Sequence, residues 1–299
     1  MFRVLTRLKP SFSECGSRKS SHPPPCPHVE PGEKPQYSKP DCSRAVIIGG
    51  TGSVGLATAT QLLCAKAAKV ALIDTDACKG KDAVTSLNCS FGKDKALFLK
   101  ADVTNKMDIQ DTLRKVRGEL KHVDLIVNAF GIWDESKWED EVKVNLLGTL
   151  NVNEIAKDIV SQPGGLVLNI TGIQGIEVFT PGPALAASFL GVVGFTQSKG
   201  HERNASANGV RIVALCCGLT HSPTLKEVEQ RTCCPAMAND LKNYLNEGCW
   251  QQPEAAGKAA VELLKYAPSG SIWIVEGSQL FHLRLPSLHA FRTLETQFT

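Results

Sequence analysis

The stretch AVIIGGTGSVG, residues 45–55, decides the fold of this chain. Its four leading apolar residues predict a strand that is buried on both faces. Glycines then follow at three-residue intervals. The first permits a tight turn, the second lets a pyrophosphate approach the backbone, and the third permits close packing of the next helix. Free amides and the helix dipole favour phosphate here. The expected contacts are Gly49, Gly52, Ser53, Val54 and Gly55.

The next apolar run supports this interpretation over a turn that is glycine-rich by chance. Residues 70–73 predict a second buried strand, which ends at Asp74, 19 residues after Gly55. A carboxylate at this place can accept hydrogen bonds from the adenosine ribose hydroxyls and repels a 2′-phosphate. We therefore predict NAD rather than NADP as the ligand. The alternative is that Asp74 only caps the following turn.

Further along the chain, short apolar runs alternate with helical patterns. Strands are predicted over 45–48, 70–73, 96–99, 123–127, 166–170, 210–215 and 272–275, and helices over 56–67, 77–91, 106–121, 138–161, 183–206 and 253–265. This alternation predicts a doubly wound α/β (Rossmann) parallel sheet of about seven strands in one domain. The residues expected to line one crevice at the carboxyl ends of these strands are Asp74, Asp102, Asn128, Thr171 and Gly218.

Composition places this domain within residues 43–299. Residues 1–42 form a basic extension, and eight of the 16 prolines lie in its first 40 residues. We expect it to be disordered, either as a tolerated extension or as a mitochondrial targeting segment. The 11 cysteines show no metal-ligand spacing, so no metal is expected, and a reducing, cytoplasmic or alternatively mitochondrial location is favoured. No run of 18 apolar residues predicts a membrane span, and a net charge of +3 does not indicate nucleic-acid binding.

The order and spacing of several motifs resemble the short-chain dehydrogenase/reductase family, in the branch that contains 15-hydroxyprostaglandin dehydrogenase and insect alcohol dehydrogenases. These motifs are the glycine turn, Asp74, ADV at 101–103, NAFG at 128–131, VNL at 144–146, NIT at 169–171, the helix around 191–197 and NGVR at 208–211. The resemblance covers about residues 44–280.

The resemblance implies roles for individual residues. Asp102 and Val103 would contact the adenine, Asn128 would hold the central strand, and Ser222 would lie near the nicotinamide carboxamide. Gly131 belongs to the same cofactor-binding set. Segment 219–250 would cover a small hydrophobic alcohol or carbonyl ligand. Helices 138–161 and 183–206 would pair in a homodimer.

The family's catalytic positions carry other residues in this sequence. Family members use Asn, Ser, Tyr and Lys, and the Lys charge lowers the Tyr pKa so that the phenol can exchange a proton. Asn145 matches the Asn, but Gly172, beside Thr171, stands at the Ser position. Leu185 and Phe189 stand at the Tyr and Lys positions, and no Tyr-x-x-x-Lys occurs anywhere in the chain. The family's proton-transfer pair is therefore absent.

Two functions remain open at this stage. The first is a catalytically inactive protein that keeps an NAD-type adenosine site, with the nicotinamide half in doubt because Phe130 and Phe189 add bulk. The second is an NAD-dependent oxidoreductase with altered proton-transfer residues, for which Thr171 and His221 are the weak candidates. Lys199 and His201 lie too far along the helix to serve.

Overall fold

The computed structural model describes residues 36–161, 164–205, 209–225 and 228–284. Its centre is one sheet of eight strands in the order β3-β2-β1-β4-β5-β6-β7-β8. The strands are β1 Arg44–Ile48, β2 Lys69–Asp74, β3 Ala96–Lys100, β4 Leu125–Asn128, β5 Leu166–Gly172, β6 Arg211–Cys217, β7 Ile272–Glu276 and β8 Gln279–Leu283. The first seven are parallel, which confirms the doubly wound α/β fold.

The eighth strand was not predicted from the sequence. β8 pairs antiparallel with β7 at the edge of the sheet, and Gly277 and Ser278 form the turn between them with positive φ. β8 is largely exposed, and its sequence QLFHL includes polar residues. It therefore lacks the continuous apolar run by which buried strands are recognised in a sequence.

The apolar runs form strands because both faces of the sheet are covered. In β1, Ala45 and Ile47 pack into one hydrophobic core, whereas Val46 and Ile48 pack into the other. This separation follows from the two-residue period of a strand. Helices α1 and α9 contribute to the first core, and α3 and α5 contribute to the second.

The helices connect the strands across both faces. They are α1 Ser53–Cys64, α2 Ala77–Phe91, α3 Lys106–Leu120, α4 Trp138–Glu141, α5 Thr149–Ile159, α6 Pro183–Gly200, α7 Glu202–Ala205, α8 Met237–Glu247 and α9 Pro253–Tyr266. The helix predicted over 138–161 is divided by a π-helical segment, Val142–Gly148. The helix predicted over 183–206 ends at Gly200 and is followed by a separate short helix. Within the described residues, no helix combines the length and apolar character needed to cross a membrane.

Part of the predicted N-terminal extension contacts the domain. The Tyr37 amide donates to the Lys265 carbonyl at 2.8 Å, and the Tyr37 ring lies 4.5 Å from the Arg211 guanidinium carbon. The Ser38 hydroxyl donates to the Gly164 carbonyl at 2.8 Å. Residues 36–42 therefore lie against the domain rather than in an uncontacted extension. The disorder predicted for residues 1–35 concerns residues outside those described.

Candidate functional site

The glycine turn, which contains the predicted phosphate contacts, lies at the carboxyl end of β1. Gly49 has φ of +78°, and its amide donates to the Ile73 carbonyl at 2.8 Å. A Cβ on Gly55 would lie 2.2 Å from the Gly49 carbonyl oxygen. A Cβ on Gly52 would meet only that same oxygen, at 3.3 Å. Gly49 and Gly55 are thus required by the turn itself, whereas Gly52 borders open space that a phosphate can approach.

The first turn of α1 differs from the first turns of α2 and α3. Asp76 caps α2 and Asn105 caps α3, each accepting hydrogen bonds from two backbone amides. The N-cap of α1 is Gly52, which has no side chain to accept such bonds. An anion at this end of α1 would accept hydrogen bonds from the amides and interact favourably with the helix dipole.

The Asp74 carboxylate lies beside this turn at the end of β2. One of its oxygens accepts from the Thr51 amide at 3.1 Å and from the Thr51 hydroxyl at 2.6 Å. The other accepts from the Thr75 amide at 2.8 Å. Asp74 therefore also holds the glycine turn in place, a role that sequence spacing did not indicate. Its partly exposed carboxylate stays within reach of a ligand's hydroxyl groups.

The two expected adenine contacts follow β3, and Val103 lies beside Gly148. The Asp102 side chain accepts from the Thr104 amide at 2.8 Å, which folds the turn after β3. Val103 is buried, and the rings and methyls of Phe130 and Val103 converge on the position where a Gly148 Cβ would lie. The Phe130 ring thus lies beside Val103 and Gly148 and packs against the second core.

Asn128 joins a buried amide network at the centre of the sheet. Its amide donates to the Asn169 side-chain oxygen at 2.8 Å, and Asn153 donates to that same oxygen at 2.9 Å. The Asn169 amide donates to the Thr196 hydroxyl at 3.0 Å. The side-chain oxygen of Asn128 has no partner among the described residues. These bonds connect β4 and β5 with α5 and α6.

Asn145 lies in the π-helical segment and faces the loop that follows β4. Its side chain makes two hydrogen bonds to Ile132, accepting from the amide at 2.8 Å and donating to the carbonyl at 2.9 Å. A Cβ on Gly131 would lie 3.4 Å from the Asn145 side-chain oxygen. Both polar atoms of this side chain are engaged in holding the loop, and the side chain is buried.

The space beside Gly172, at the end of β5, is filled by other side chains. A Cβ at this position would lie 2.1 Å from the Gln174 side-chain oxygen and 2.8 Å from the Phe189 ring. The neighbouring Thr171 hydroxyl is buried and has no partner among the described residues. The Thr171 hydroxyl therefore has unused hydrogen-bonding capacity, but it is shielded from solvent and no base contacts it within the described part of the chain.

Leu185 belongs to an apolar cluster at the start of α6. Its buried neighbours are Phe179 and Leu241, and Phe189 and Tyr244 pack against them. The Leu185 amide donates to the Glu135 carboxylate at 3.0 Å. Glu135 also accepts from the Ala184 amide at 3.1 Å, so it stabilises the N-terminus of α6 from a distant loop. Nothing in the sequence pattern indicated this contact.

A second buried acid, Glu141, lies near Glu135. One of its oxygens accepts from the Asp134 amide, and the other has no partner among the described residues. Burial, and to a smaller extent the nearby carboxylates of Glu135 and Asp134, raise the pKa of Glu141 to about 7, against the lowering effect of the hydrogen bond from the Asp134 amide. Of the three neighbouring acids Asp134, Glu135 and Glu141, Glu141 thus has a pKa near neutral pH.

The segment after β6 brings Ser222 and His221 to the same end of the sheet. The Ser53 hydroxyl donates to the Ser222 hydroxyl at 3.5 Å, which places Ser222 at the first turn of α1. The His221 ring is exposed and stacks on Trp250, with ring centroids 4.8 Å apart. Its amide donates to the Gln251 carbonyl at 3.0 Å. These contacts give His221 a structural role in holding the segment.

A phenol that the sequence did not single out lies beside the apolar cluster. The Tyr244 hydroxyl, on α8, accepts from the Gln174 amide at 3.1 Å and donates to the Glu177 carboxylate at 3.2 Å. Segment 219–250 was predicted to be irregular, and α8 lies within it. Tyr244 has no lysine four residues later, so a search for that spacing alone does not find it.

Comparison with known sequences identifies relatives for most of this chain. The family model described as short chain dehydrogenase matches residues 43–232. A 15-hydroxyprostaglandin dehydrogenase (NAD(+)) from Bos taurus is 33% identical over 190 residues, which cover 62% of this chain and 71% of that protein. Alcohol dehydrogenase 1 from Ceratitis cosyra is 27% identical over 248 residues, which cover 82% of this chain and 95% of that protein.

Solved structures show the same fold. A dehydrogenase/reductase from Sinorhizobium meliloti 1021 superposes with a TM-score of 0.68 at 20% identity, covering 80% of this chain and 95% of that one. A short chain dehydrogenase from Burkholderia cenocepacia J2315, in complex with NADP, gives a TM-score of 0.67 at 17% identity, covering 80% and 98%. At these identities, the two structures support the fold of this chain and say nothing about the roles of its individual residues.

Proposed function

The chain belongs to the short chain dehydrogenase family, and we propose that it acts by binding an NAD-type nucleotide rather than by transferring hydride. The observation that carries this proposal is the contrast between the two halves of the crevice. The turn at Gly52 is open and lined by amides that a phosphate can engage, whereas Gly172 is covered by Gln174 and Phe189.

The adenosine half has the chemistry of a nucleotide site. The amides at the start of α1 supply donors for a diphosphate, and Asp74 supplies acceptors for ribose hydroxyls. A carboxylate here favours NAD over NADP, because it would repel a 2′-phosphate. The name of the Bos taurus relative specifies NAD(+), whereas the Burkholderia cenocepacia structure contains NADP.

The reactive half lacks the family's means of proton transfer. Leu185 lies in an apolar cluster and Phe189 packs on Gly172, so neither supplies a proton donor or a cation. Removal of a general acid or base costs about 10²–10⁴ in rate. We propose that the nicotinamide end of a bound dinucleotide contributes little to its affinity here.

Calorimetric titration with NAD tests the proposal. We expect binding at millimolar NAD or below, and we expect Asp74→Ala to raise the Kd about tenfold, a loss of about 1.4 kcal/mol. Thr51→Val is the matched control. It removes the hydrogen bond between the Thr51 hydroxyl and Asp74 but keeps the Asp74 carboxylate. The Kd of this variant for NAD should therefore stay near that of the unmodified chain. Absence of binding at millimolar NAD would overturn the proposal.

One observation favours the second function, an NAD-dependent oxidoreductase with altered proton-transfer residues. The Thr171 hydroxyl, at the carboxyl end of β5, has no partner among the described residues, but it is buried, so a substrate oxygen could reach it only if the side chains around it move. NADH formation from alcohols decides between the two functions. Turnover that Thr171→Val abolishes would favour the oxidoreductase, and no turnover by the unmodified chain favours the binding function.

We also propose a homodimer and a reducing compartment. Leu147 and Leu190, in the segments expected to pair, are large apolar side chains that are half exposed. The nine cysteines within the described residues are all free, as expected where thiols stay reduced. Whether that compartment is cytoplasmic or mitochondrial depends on residues 1–35.

A further inference from the structure

Two pairs of adjacent cysteines lie in different surroundings in this fold. Cys216 and Cys217 end β6, where neighbouring side chains point to opposite faces of the sheet. Cys216 accordingly packs into one core cluster and Cys217 into another, and both are buried. Their sulfurs therefore face away from each other and from solvent. Cys233 and Cys234 instead lie in an irregular bend before α8, where both are exposed.

The exposed pair is held in place by contacts on both sides. The thiols of Cys233 and Cys234 lie close enough to share a hydrogen bond. The Cys233 thiol also donates to the Thr180 carbonyl at 3.7 Å, and the Cys233 amide donates to the Pro181 carbonyl at 3.2 Å. The Thr232 hydroxyl donates to the Cys234 carbonyl at 3.0 Å. The two sulfurs are thus presented together at the surface, beside the loop that precedes α6.

The surroundings of Cys233 make its sulfur the less reactive of the two. Partial desolvation, then the neighbouring Cys234 thiol and the Glu135 carboxylate, raise the pKa of the Cys233 thiol above its usual value. Cys233 therefore stays protonated at neutral pH, and the Thr180 carbonyl accepts its hydrogen. Since the thiolate is the nucleophile in thiol–disulfide exchange, Cys234 is the residue that attacks first.

We propose that Cys233 and Cys234 are a redox-sensitive pair, which small-molecule disulfides oxidise to a reversible disulfide between the two neighbours. Cys234 attacks one sulfur of the reagent, which releases one reagent thiol and leaves a mixed disulfide on Cys234. Cys233 then attacks the Cys234 sulfur and releases the second reagent thiol. The cysteine pair loses two electrons and two protons, and the reagent takes up both as it becomes two thiols. This site is independent of nucleotide binding.

The covalent geometry of neighbouring residues makes such a disulfide reversible. Consecutive Cα atoms are about 3.8 Å apart, below the range of about 4.4–6.8 Å that is usual across a disulfide. The closed ring is therefore strained and is more easily reduced than a structural disulfide. In a reducing compartment the pair would oxidise only while an oxidised reagent is abundant, which is the behaviour of a redox sensor.

Peptide mapping of the full chain, with oxidised glutathione as the reagent, tests the inference. Trypsin cleaves after Arg231 and Lys242, so residues 232–242 form one peptide that carries both exposed cysteines and no others. We expect this peptide to lose two hydrogens with oxidised glutathione and to regain them with dithiothreitol. The tryptic peptide of residues 212–226 carries the buried pair and is the matched internal control. It should stay reduced in the folded chain.

Single substitutions test the order of attack. Cys233→Ser should stop at a stable mixed disulfide on Cys234. Cys234→Ser should form a mixed disulfide on Cys233 at least about threefold more slowly, because that thiol is the more strongly protonated. Cys89→Ser removes an exposed cysteine on α2 and should leave oxidation of the pair unchanged.

Three results in the unmodified chain would overturn the inference. They are a peptide of residues 232–242 that stays reduced at every ratio of oxidised to reduced glutathione, a disulfide from this peptide to another cysteine, and a mixed disulfide as the final product. Equal rates in the two single variants would overturn the assignment of Cys234 as the first nucleophile.

Discussion

At the scale of single residues, the buried Glu141 carboxyl makes the stability of the fold depend on pH below neutrality. Its pKa is raised from 4.5 to about 7, first by burial and then by neighbouring carboxylates. The folded chain therefore holds this proton more tightly than the unfolded chain. The stabilisation is fully present below about pH 4.5 and is lost as the pH rises to about 7. Its size is about 3 kcal/mol.

We predict that Glu141→Gln removes this dependence. Glutamine can still accept from the Asp134 amide but carries no charge that must be buried. Urea unfolding at each pH gives the difference in free energy of unfolding between the variant and the unmodified chain. This difference should shift in favour of the variant by about 2–3 kcal/mol from pH 5 to pH 8. Glu139→Gln, exposed on the same helix, is the control and should show no such change. An equal pH dependence with and without the Glu141 carboxyl would contradict the prediction.

At the scale of elements, the glycines of the turn serve different purposes, since Gly55 is needed for folding and Gly52 for the proposed ligand binding. A Cβ at position 55 would collide with the Gly49 carbonyl at 2.2 Å, whereas one at position 52 would meet it only at 3.3 Å. We therefore predict that Gly55→Ala destabilises the fold by more than about 2 kcal/mol. Gly52→Ala should keep the fold and weaken NAD binding about tenfold, because its methyl occupies the expected phosphate space.

Chemical unfolding and calorimetric NAD titration of both variants check this prediction. Gly118→Ala is the control, since nothing lies within 4 Å of its added Cβ on α3. It should raise the free energy of unfolding by about 0.5–1 kcal/mol and leave NAD binding unchanged. If Gly52→Ala bound NAD as well as the unmodified chain did, the phosphate position would lie elsewhere.

The elements that the sequence predicted well are those governed by local patterns. Buried strands and the glycine turn follow from apolar runs and backbone sterics, so β1 is confirmed to within one residue, whereas α1 begins at Ser53, three residues before its predicted start. The π-helical segment and β8 depend on tertiary packing and carry no comparable pattern. The same limit applies to Glu135 and Tyr244, whose partners lie about 50 and 70 residues away. The apolar run placed Asp74 at the end of β2, where the structure has it, but its bond to Thr51 required the structure.

At the scale of the whole molecule, the two halves of the crevice are built differently. The β1–β2 side keeps amides and a carboxylate around an open turn, whereas the β5 side is filled by α6 and α8. The amide network of Asn128 and Asn169 lies between them and fixes the centre of the sheet. A ligand that contacts only the first side can therefore bind without displacing α8.

The assembly of the molecule gives the last prediction. A Cβ on Gly191 would lie 3.0 Å from the Leu146 side chain, so α6 and the π-helical segment are in close contact there. The adjacent Leu190 and Leu147 are 57% and 48% exposed, although both lie on packed elements. Burial of both against a second copy would remove this apolar surface from water.

We expect sedimentation equilibrium of the full chain to give a dimer. Leu147→Lys with Leu190→Lys should shift it to monomer, because four ammonium groups would then face one another across the interface. Met107→Lys is the control, since Met107 is 74% exposed on α3, outside the helices expected to pair. A dimer that survives the double substitution would place the interface elsewhere, and a monomeric unmodified chain would reject the homodimer altogether.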